Sequence, residues 1–326
     1  MELNFLLSSA GRRGELVHIL RETISDLGRT GGVYCVDRSP LSAAGQIADG
    51  FDLVPSVDDP SFVEAVLGIC AARKISHVIP TIDPELAVYA QHRQTFEDAG
   101  VHVWVSTPDV IRIARDKRLT NRWLTQHDFP APRQLDLAAA LHTSDLAYPL
   151  VAKPANGSSS VGLVMISEPA TLATLDARLD YVVEQMASGE EFTVDVWVDN
   201  SGVCRAAIPR RRIEVRAGEV SKSVTVRDET LMALARDVVN ALPGPRGVLN
   251  VQMFSDADRG VQHVIEINAR FGGGFPLSWA AGARMPVWGV REFEGTGFDQ
   301  PRLDRWTTGL TMLRYDQGVY VTESNA

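Results

Sequence analysis

The apolar residues of this chain recur with two different periods, and the changes between them divide it. From residue 1 to about 106, short strand-like runs alternate with stretches whose apolar residues return every three or four positions. The runs are Leu3–Ser8, Val33–Val36, Phe51–Val54, His77–Ile79 and Val101–Val105; Leu16, Ile19, Leu20, Ile24 and Leu27 make one helical stripe and Phe62, Val66, Ile69 and Cys70 another. This alternation predicts a parallel sheet covered on both faces. Residues 107–128 predict helix, with Pro108 at its start and Ile111, Ala114, Leu119, Trp123 and Leu124 along one side; Phe129-Pro130-Ala131-Pro132 ends it. A smaller α+β unit follows: strand Tyr148–Lys153, a Gly/Ser loop, strand Gly162–Ile166, helix Glu168–Leu179 and strand Tyr181–Met186. Beyond Glu191 strands dominate, at Phe192–Val198, Val203–Ile208 and Val220–Val226, before a helix Asp228–Leu242 with Asp228 as its N-cap. A last strand pair is predicted at Leu310–Tyr315 and Val319–Thr322.

One predicted hairpin departs from a simple apolar pattern. Gly247–Phe254 and Val264–Phe271 read as strands joined by the turn-rich Ser255–Gly260. Residues two apart in a strand share a face, so Asn250 and Gln252 project together, and so do Glu266, Asn268 and Arg270. Burying five such groups unpaired costs a few kcal/mol each, so they are expected to meet a ligand. A carboxylate with two amide oxygens suits Mg²⁺, which takes few protein ligands and completes its shell with water and phosphate; an arginine beside them suits a phosphate oxygen.

Composition narrows the setting. The 326 residues carry a net charge of -9, which argues against general nucleic-acid or membrane-surface binding. No apolar run reaches transmembrane length, and residues 1–8 lack a signal-peptide pattern. Cys35, Cys70 and Cys204 are far apart in apolar runs and read as reduced core residues. A cytoplasmic protein is expected.

Four further motifs carry candidate chemistry. In Val151–Gly162 a strand delivers Lys153 into the loop Gly157-Ser158-Ser159-Ser160-Val161-Gly162, whose amides and hydroxyls can cradle an anion. The lysine precedes the loop and no helix follows, so this is not a Walker A loop. Glu184-Gln185-Met186 leaves a strand through a Gly-containing turn towards Glu191. Alternation in Pro209–Arg216 places Arg210, Arg212 and Glu214 on one face, with Lys222 on the next run. Ser8–Gly14, between the first strand and a helix, lacks the GxGxxG of a dinucleotide site.

Together these pieces resemble the ATP-grasp superfamily, most closely its carbamoyl-phosphate-synthetase-like branch. The resemblance implies an α/β (α+β overall) architecture. It comprises an N-terminal Rossmann-like parallel-sheet preceding domain (1–108), linker helices with a small α+β lid (109–186), and a larger antiparallel-sheet nucleotide and metal domain (187–326). It implies that Lys117 and Lys153 meet ATP phosphates and that the loop from Gly157 through Ser158, Ser159 and Ser160 to Gly162 closes over them. Glu184, Gln185 and Met186 would meet the adenine by backbone and carboxylate, and Glu191 the ribose. Gln252, Glu266 and Asn268 would hold Mg²⁺, with Mn²⁺ as a substitute ion. Arg270 would contact the transferred phosphate, with Arg210, Arg212 and Lys222 as further catalytic candidates. Arg12, Asp83, Glu85 and Gly273 would border the substrate, because ligands in such sheets sit beyond the carboxyl ends of the strands.

The activity so implied is ATP-dependent activation of a small-molecule carboxylate as an acyl phosphate, followed by its joining to an amine, with neither nucleic acid nor membrane as partner and a homodimer as the assembly. An acyl-phosphate-forming phosphotransferase that does not ligate is the nearest rival. A nicotinamide-dependent oxidoreductase would need a true GxGxxG and leaves Glu266-Ile267-Asn268 unexplained. A silent nucleotide-binding module is opposed by Lys153, Glu266, Asn268 and Arg270.

Overall fold

A computed structural model describes residues 2–157, 161–216, 218–297 and 305–322. The first strands are β1 (Phe5–Ser8), β2 (Val33–Asp37), β3 (Gly50–Leu53), β4 (His77–Pro80) and β5 (His102–Val103). They form one sheet in the order β3-β2-β1-β4-β5, with every pairing parallel. The strand order reverses between β1 and β4, so the loops leaving these two strands open on the same crevice. The loop after β1 carries Arg13, and Asp83 begins the helix Asp83–Gln91 that follows β4.

The predicted helix over 107–128 is two helices, Pro108–Arg115 and Lys117–Gln126. Asp116 divides them: its extended backbone ends the first, and its carboxylate accepts from the Arg118 N–H to cap the second. The side chains Val110, Ile111, Ile113, Trp123 and Leu124 of both helices enter the main core.

A small sheet follows, made of β6 (Gln134–Asp136), β7 (Leu150–Pro154), β8 (Val164–Ile166) and β9 (Tyr181–Gln185), in the order β6-β9-β7-β8. The helix expected over Glu168–Leu179 is a single turn, Pro169–Ala173. Only Leu172 of this turn is buried, and one apolar contact does not support a longer helix. This unit has its own core of Leu137, Ala140, Leu150, Ala152, Ile166, Leu172 and Val183.

The large sheet contains β10 (Glu190–Val198), β11 (Cys204–Arg216), β12 (Glu219–Thr225), β13 (Gly247–Asp256), β14 (Val261–Asn268) and β15 (Thr311–Leu313). Its order is β14-β13-β10-β11-β12-β15, antiparallel at every pairing. β11 runs unbroken through Pro209, where the sequence suggests two separate segments. The strand expected at Val319–Thr322 is absent; β15 alone pairs there. The helix Glu229–Ala241 is capped by Asp228, which accepts from the N–H groups of Thr230 and Leu231.

One core joins the parallel sheet to the large sheet. Trp104 lies 5.7 Å from Trp197 and 6.0 Å from Phe271, ring centre to ring centre. A Cβ on Gly289, in the helix Met285–Phe293, would fall 2.3 Å from Trp104 and 2.7 Å from Trp197. Only glycine lets this helix close over both rings. The parallel sheet and the large sheet therefore form one body, and the small sheet is a separately packed lid on it.

The same interface holds an acid-sensitive group. His77 is buried against Phe5 at 5.3 Å, and its Nδ1 accepts from Trp104 Nε1 at 3.1 Å. Burial, with neighbouring His102, pulls its pKa down from 6.5 to about 3. A depressed histidine pKa stabilises the fold fully above its unfolded value, and that stability is lost as pH falls. Denaturant midpoints are therefore expected to drop as pH is lowered from about 6.5 towards 4. His77→Phe, which keeps a ring in the stack, should flatten that slope; an unchanged slope would show that His77 is not its source.

Candidate active site

The site grows from one face of the large sheet. Cross-strand partners put their side chains on the same face. The register therefore aligns Glu266, Gln252, Thr193 and Arg210 in one row across β14, β13, β10 and β11. A second row aligns Asn268, Asn250 and Asp195. Most of these groups satisfy one another. Arg210 donates to Asp195 through Nε at 2.7 Å and Nη2 at 2.9 Å, and the Ser278 hydroxyl donates to the same carboxylate at 2.5 Å. Arg212 donates to Glu191 at 2.7 Å and to Gln252 Oε1 at 3.3 Å. Asn268 Nδ2 donates to Asn250 Oδ1 at 3.2 Å, and Arg270 Nη2 donates to Asn268 Oδ1 at 3.4 Å. The Glu266 carboxylate makes no hydrogen bond or ion pair among the described residues, although its charge is felt by Lys117 and Arg270.

Three cavities meet at Glu266. The largest, about 330 Å³, lies between the lid and the large sheet. Val151, Leu163, Met165, Met186, Phe254 and Ile265 give it apolar walls suited to a flat ring, and Lys117, Lys153 and Glu191 give it charge. Lys153 Nζ lies 2.6 Å from Glu184, whose carboxylate also accepts from Gln134 at 2.7 Å. Lys117 Nζ donates to the Gly157 carbonyl, so the body and the lid loop touch. Burial lowers the Lys117 pKa, with Glu266 opposing the shift. Burial raises the Glu191 carboxyl against the pull of Arg212.

The second cavity, about 110 Å³, is lined by polar groups, among them Arg13, Arg210, Arg212, Arg270, Glu219 and the backbone of Gly272–Gly274. The third, about 80 Å³, runs from Asp83 and Arg115 past Asn156 and Gly157 to Glu266 and Asn268.

The structure thus brings Lys117, Lys153, Gly157, Glu184, Gln185, Met186, Glu191, Arg212, Gln252 and Glu266 to one cleft, with Arg210, Asn268, Arg270 and Gly273 in the adjoining cavity. Ser158, Ser159 and Ser160 lie outside the described residues. Gly162 turns the lid loop at φ 79° without lining a cavity.

Five expected contacts are revised. The Glu184 carboxylate is taken by Lys153 and Gln134 and is not free for a base. Lys222 lines none of the three cavities; β-bulges around Glu214 turn that hairpin, and Lys222 pairs with Glu214 at 2.6 Å on the surface. Arg12 points to solvent, 3.6 Å from Glu219. Glu85 is fully buried and structural: it accepts the Ser8 and Ser9 hydroxyls at 2.7 Å each and the Thr81 N–H at 2.6 Å. Asp83 is held by Arg270 at 2.6 and 2.9 Å, so it bridges the two sheets. Burial would raise the Asp83 carboxyl, but Arg270 outweighs it and holds the pKa below the usual range.

Sequence reasoning missed Asp195, and on the substrate side it chose Arg12 over its neighbour Arg13. Asp195 had a signal, as a lone acid in the apolar run Phe192–Val198 opposite an arginine-rich strand. Arg13 had none that separates it from Arg12. Positive φ at Ser9 (51°) and Gly11 (48°) turns the chain, and this decides which arginine faces inward.

A nucleotide-sized cleft under the small sheet opens onto an arginine-lined cavity across an antiparallel sheet, an arrangement suited to phosphate groups. Comparison with known proteins makes this specific. Residues 114–274 match the ATP-grasp domain, and residues 5–104 match the PylC-like N-terminal domain. Residues 114–274 are thus an ATP-grasp domain, preceded by a PylC-like N-terminal domain. It is 29% identical over 172 residues to a D-alanine–D-alanine ligase of Jannaschia sp. (strain CCS1), covering 47% of this chain and 51% of that protein. The chain spans about half the length of the curated relatives it matches. In fold it is similar to a biotin carboxylase from Campylobacter jejuni (TM-score 0.69, 15% identity, 94% of this chain and 74% of that one). It is also similar to an L-amino acid ligase from Bacillus licheniformis (TM-score 0.66, 20% identity, 93% and 74%).

Proposed function

We propose that this protein is an ATP-dependent carboxylate–amine ligase that activates a small-molecule acid as its acyl phosphate and passes the acyl group to an amine, releasing ADP and phosphate. The observation that carries the reading is the meeting of the cavities at Glu266. A nucleotide in the lid cleft would present its terminal phosphate there, and an acid in the arginine-lined cavity would reach the same point.

The apolar walls and the backbone of residues 185–187 would seat the base, and Glu191 the ribose. Lys117 and Lys153 place two ammonium groups over the phosphates. The donor set fits Mg²⁺, or Mn²⁺ in its place. Glu266 offers a carboxylate with no partner among the described residues, beside the amide oxygens of Gln252 and Asn268. Among the described residues no group of three His, Cys, Asp or Glu forms a metal cage, and Mg²⁺ bound largely through substrate phosphates needs none. Such an ion would neutralise phosphate charge. Positioning and charge stabilisation carry most of a phosphoryl transfer, and here Arg270 and Arg212 flank the meeting point. Closure of the separately packed lid would exclude water from the acyl phosphate.

Buried free thiols at Cys35, Cys70 and Cys204, each pushed up to about 12 by burial, support a reducing, cytoplasmic setting. Among the described residues no helix is long and apolar enough to cross a membrane. The family resemblance supports a homodimer, which sedimentation would test. The activity test is ADP release over a panel of acids with hydroxylamine as surrogate amine. One acid should give a hydroxamate; a protein that binds no ATP at millimolar Mg²⁺ sinks the reading.

A further inference from the structure

The cavity of about 110 Å³ beside Glu266 contains one guanidinium held by no carboxylate. Four guanidinium groups line it, from Arg13, Arg210, Arg212 and Arg270. Three are held by carboxylates: Arg210 by Asp195, Arg212 by Glu191 and Arg270 by Asp83. The Arg13 guanidinium makes no hydrogen bond or ion pair among the described residues. The carboxylates that act on it from a distance are engaged elsewhere, Glu219 with Arg314 at 3.3 Å and Arg12 at 3.6 Å, and Asp83 with Arg270. Burial, then the charge of Arg270, pulls the Arg13 pKa down to about 10.

Arg210 supplies an independent observation. Its side chain is 1% exposed, and its Nη1 is buried with no hydrogen-bond partner. Guanidinium donors left unsatisfied in this way favour an acceptor from outside the chain. Both arginines stand over the same bare backbone. A Cβ on Gly273 would fall 3.4 Å from Arg13 Nη1, and one on Gly274 would fall 2.2 Å from Arg210 Nη1. Gly274 therefore lets the Arg210 guanidinium approach the backbone, and Arg13 stands in ordinary contact with Gly273, at the edge of the same cavity of about 110 Å³.

We propose that Arg13 and the Nη1 of Arg210 form a recognition site for an oxyanion on the substrate, a carboxylate or phosphate group separate from the carboxylate that is activated. The inference rests on the ligase reading above and narrows it to substrates of which either the acid or the amine bears that second anionic group. Arg13 is then a specificity residue: it binds a part of the substrate that does not react, and it comes from the parallel-sheet unit while the reacting centre lies on the large sheet.

The test uses the full chain with saturating Mg-ATP and matched compounds. Amino acids and short dicarboxylic acids are compared with their carboxamides, and phosphoserine and phosphoethanolamine with serine and ethanolamine. Thermal shift and ADP release are read for each pair. At least one oxyanion-bearing compound is expected to act on the wild type with an affinity tenfold to a hundredfold above its neutral match, on the order of one charge-assisted contact. The carboxamide and dephospho arms tell a carboxylate from a phosphate. Arg13→Ala should bring the two members of the pair level while the affinity for ATP, read by displacement of a fluorescent nucleotide, stays within about twofold. Arg13→Lys, which keeps charge but not the fork, should retain part of the preference and carries the test if the alanine variant does not fold. The proposal is overturned if Arg13→Ala keeps the full preference, or if no oxyanion-bearing compound stabilises the ATP-bound wild type. Failure of the wild type to bind ATP overturns the ligase reading instead, so the two failures are distinguishable.

Discussion

Glu266→Gln is expected to lower kcat for ADP release by about a hundredfold to a thousandfold, the scale seen when one electrostatic stabiliser of a transition state is removed. The fold should be retained. The Glu266 carboxylate makes no hydrogen bond or ion pair among the described residues, so its charge holds no neighbour in place, and glutamine matches its shape. The charge itself is what the site uses. Gln252 and Asn268 offer neutral oxygens at the same point, and Lys117, Arg212 and Arg270 bring positive charge around it. Without the carboxylate, a cation between the sheet and the phosphates loses its single anionic protein ligand in this set. Kinetics at rising Mg²⁺ and an unchanged circular-dichroism melt make the check. Wild-type kcat in this variant would refute the metal assignment and leave the cleft a nucleotide-binding surface only.

Why Glu266 is legible in the sequence and Arg13 is not comes down to how far each depends on local rules. β13 and β14 obey strict alternation as far as Gln252, so a period-2 reading finds the shared face of Asn250, Gln252, Glu266 and Asn268. The register then adds what no single strand contains: Glu191, Thr193 and Asp195 of β10 stand on that same face. The fold class was legible for the same reason, since five short apolar runs alternating with helical stripes admit few arrangements. Alternation fails where the chain bulges. Between Arg212 and Val215 the register of β11 shifts twice, and Glu214 and Lys222 leave the face that Arg210 and Arg212 occupy. Turns and ion pairing escape sequence periodicity altogether. Asp83 and Glu85 are two carboxylates in the first turn of one helix, yet one bridges to Arg270 and the other is sealed among Ser8, Ser9 and Thr81. That difference is set by contacts 77 and 187 residues away in sequence.

The largest effect on stability is expected from Asp195→Ala, a loss of about 3–5 kcal/mol, the usual cost of stranding one member of a buried ion pair. Asp195 is wholly buried and accepts from Arg210 twice and from Ser278 once. Its removal leaves a buried guanidinium that already has one unsatisfied nitrogen in the middle of the large sheet. A melting temperature lower by about 4–7 °C should report this. A pair of this kind is weak grounds for stability in itself, because apolar residues of similar volume often replace it without loss. Asp195→Leu combined with Arg210→Met should therefore recover most of the lost stability. Recovery of fold without recovery of activity would separate the two duties of Arg210, holding the sheet together and facing the cavity over Gly274. A double variant as unstable as Asp195→Ala would mean that the packing around this pair, and not its charge, carries the stability. A double variant with wild-type kcat/KM would remove Arg210 from the substrate site.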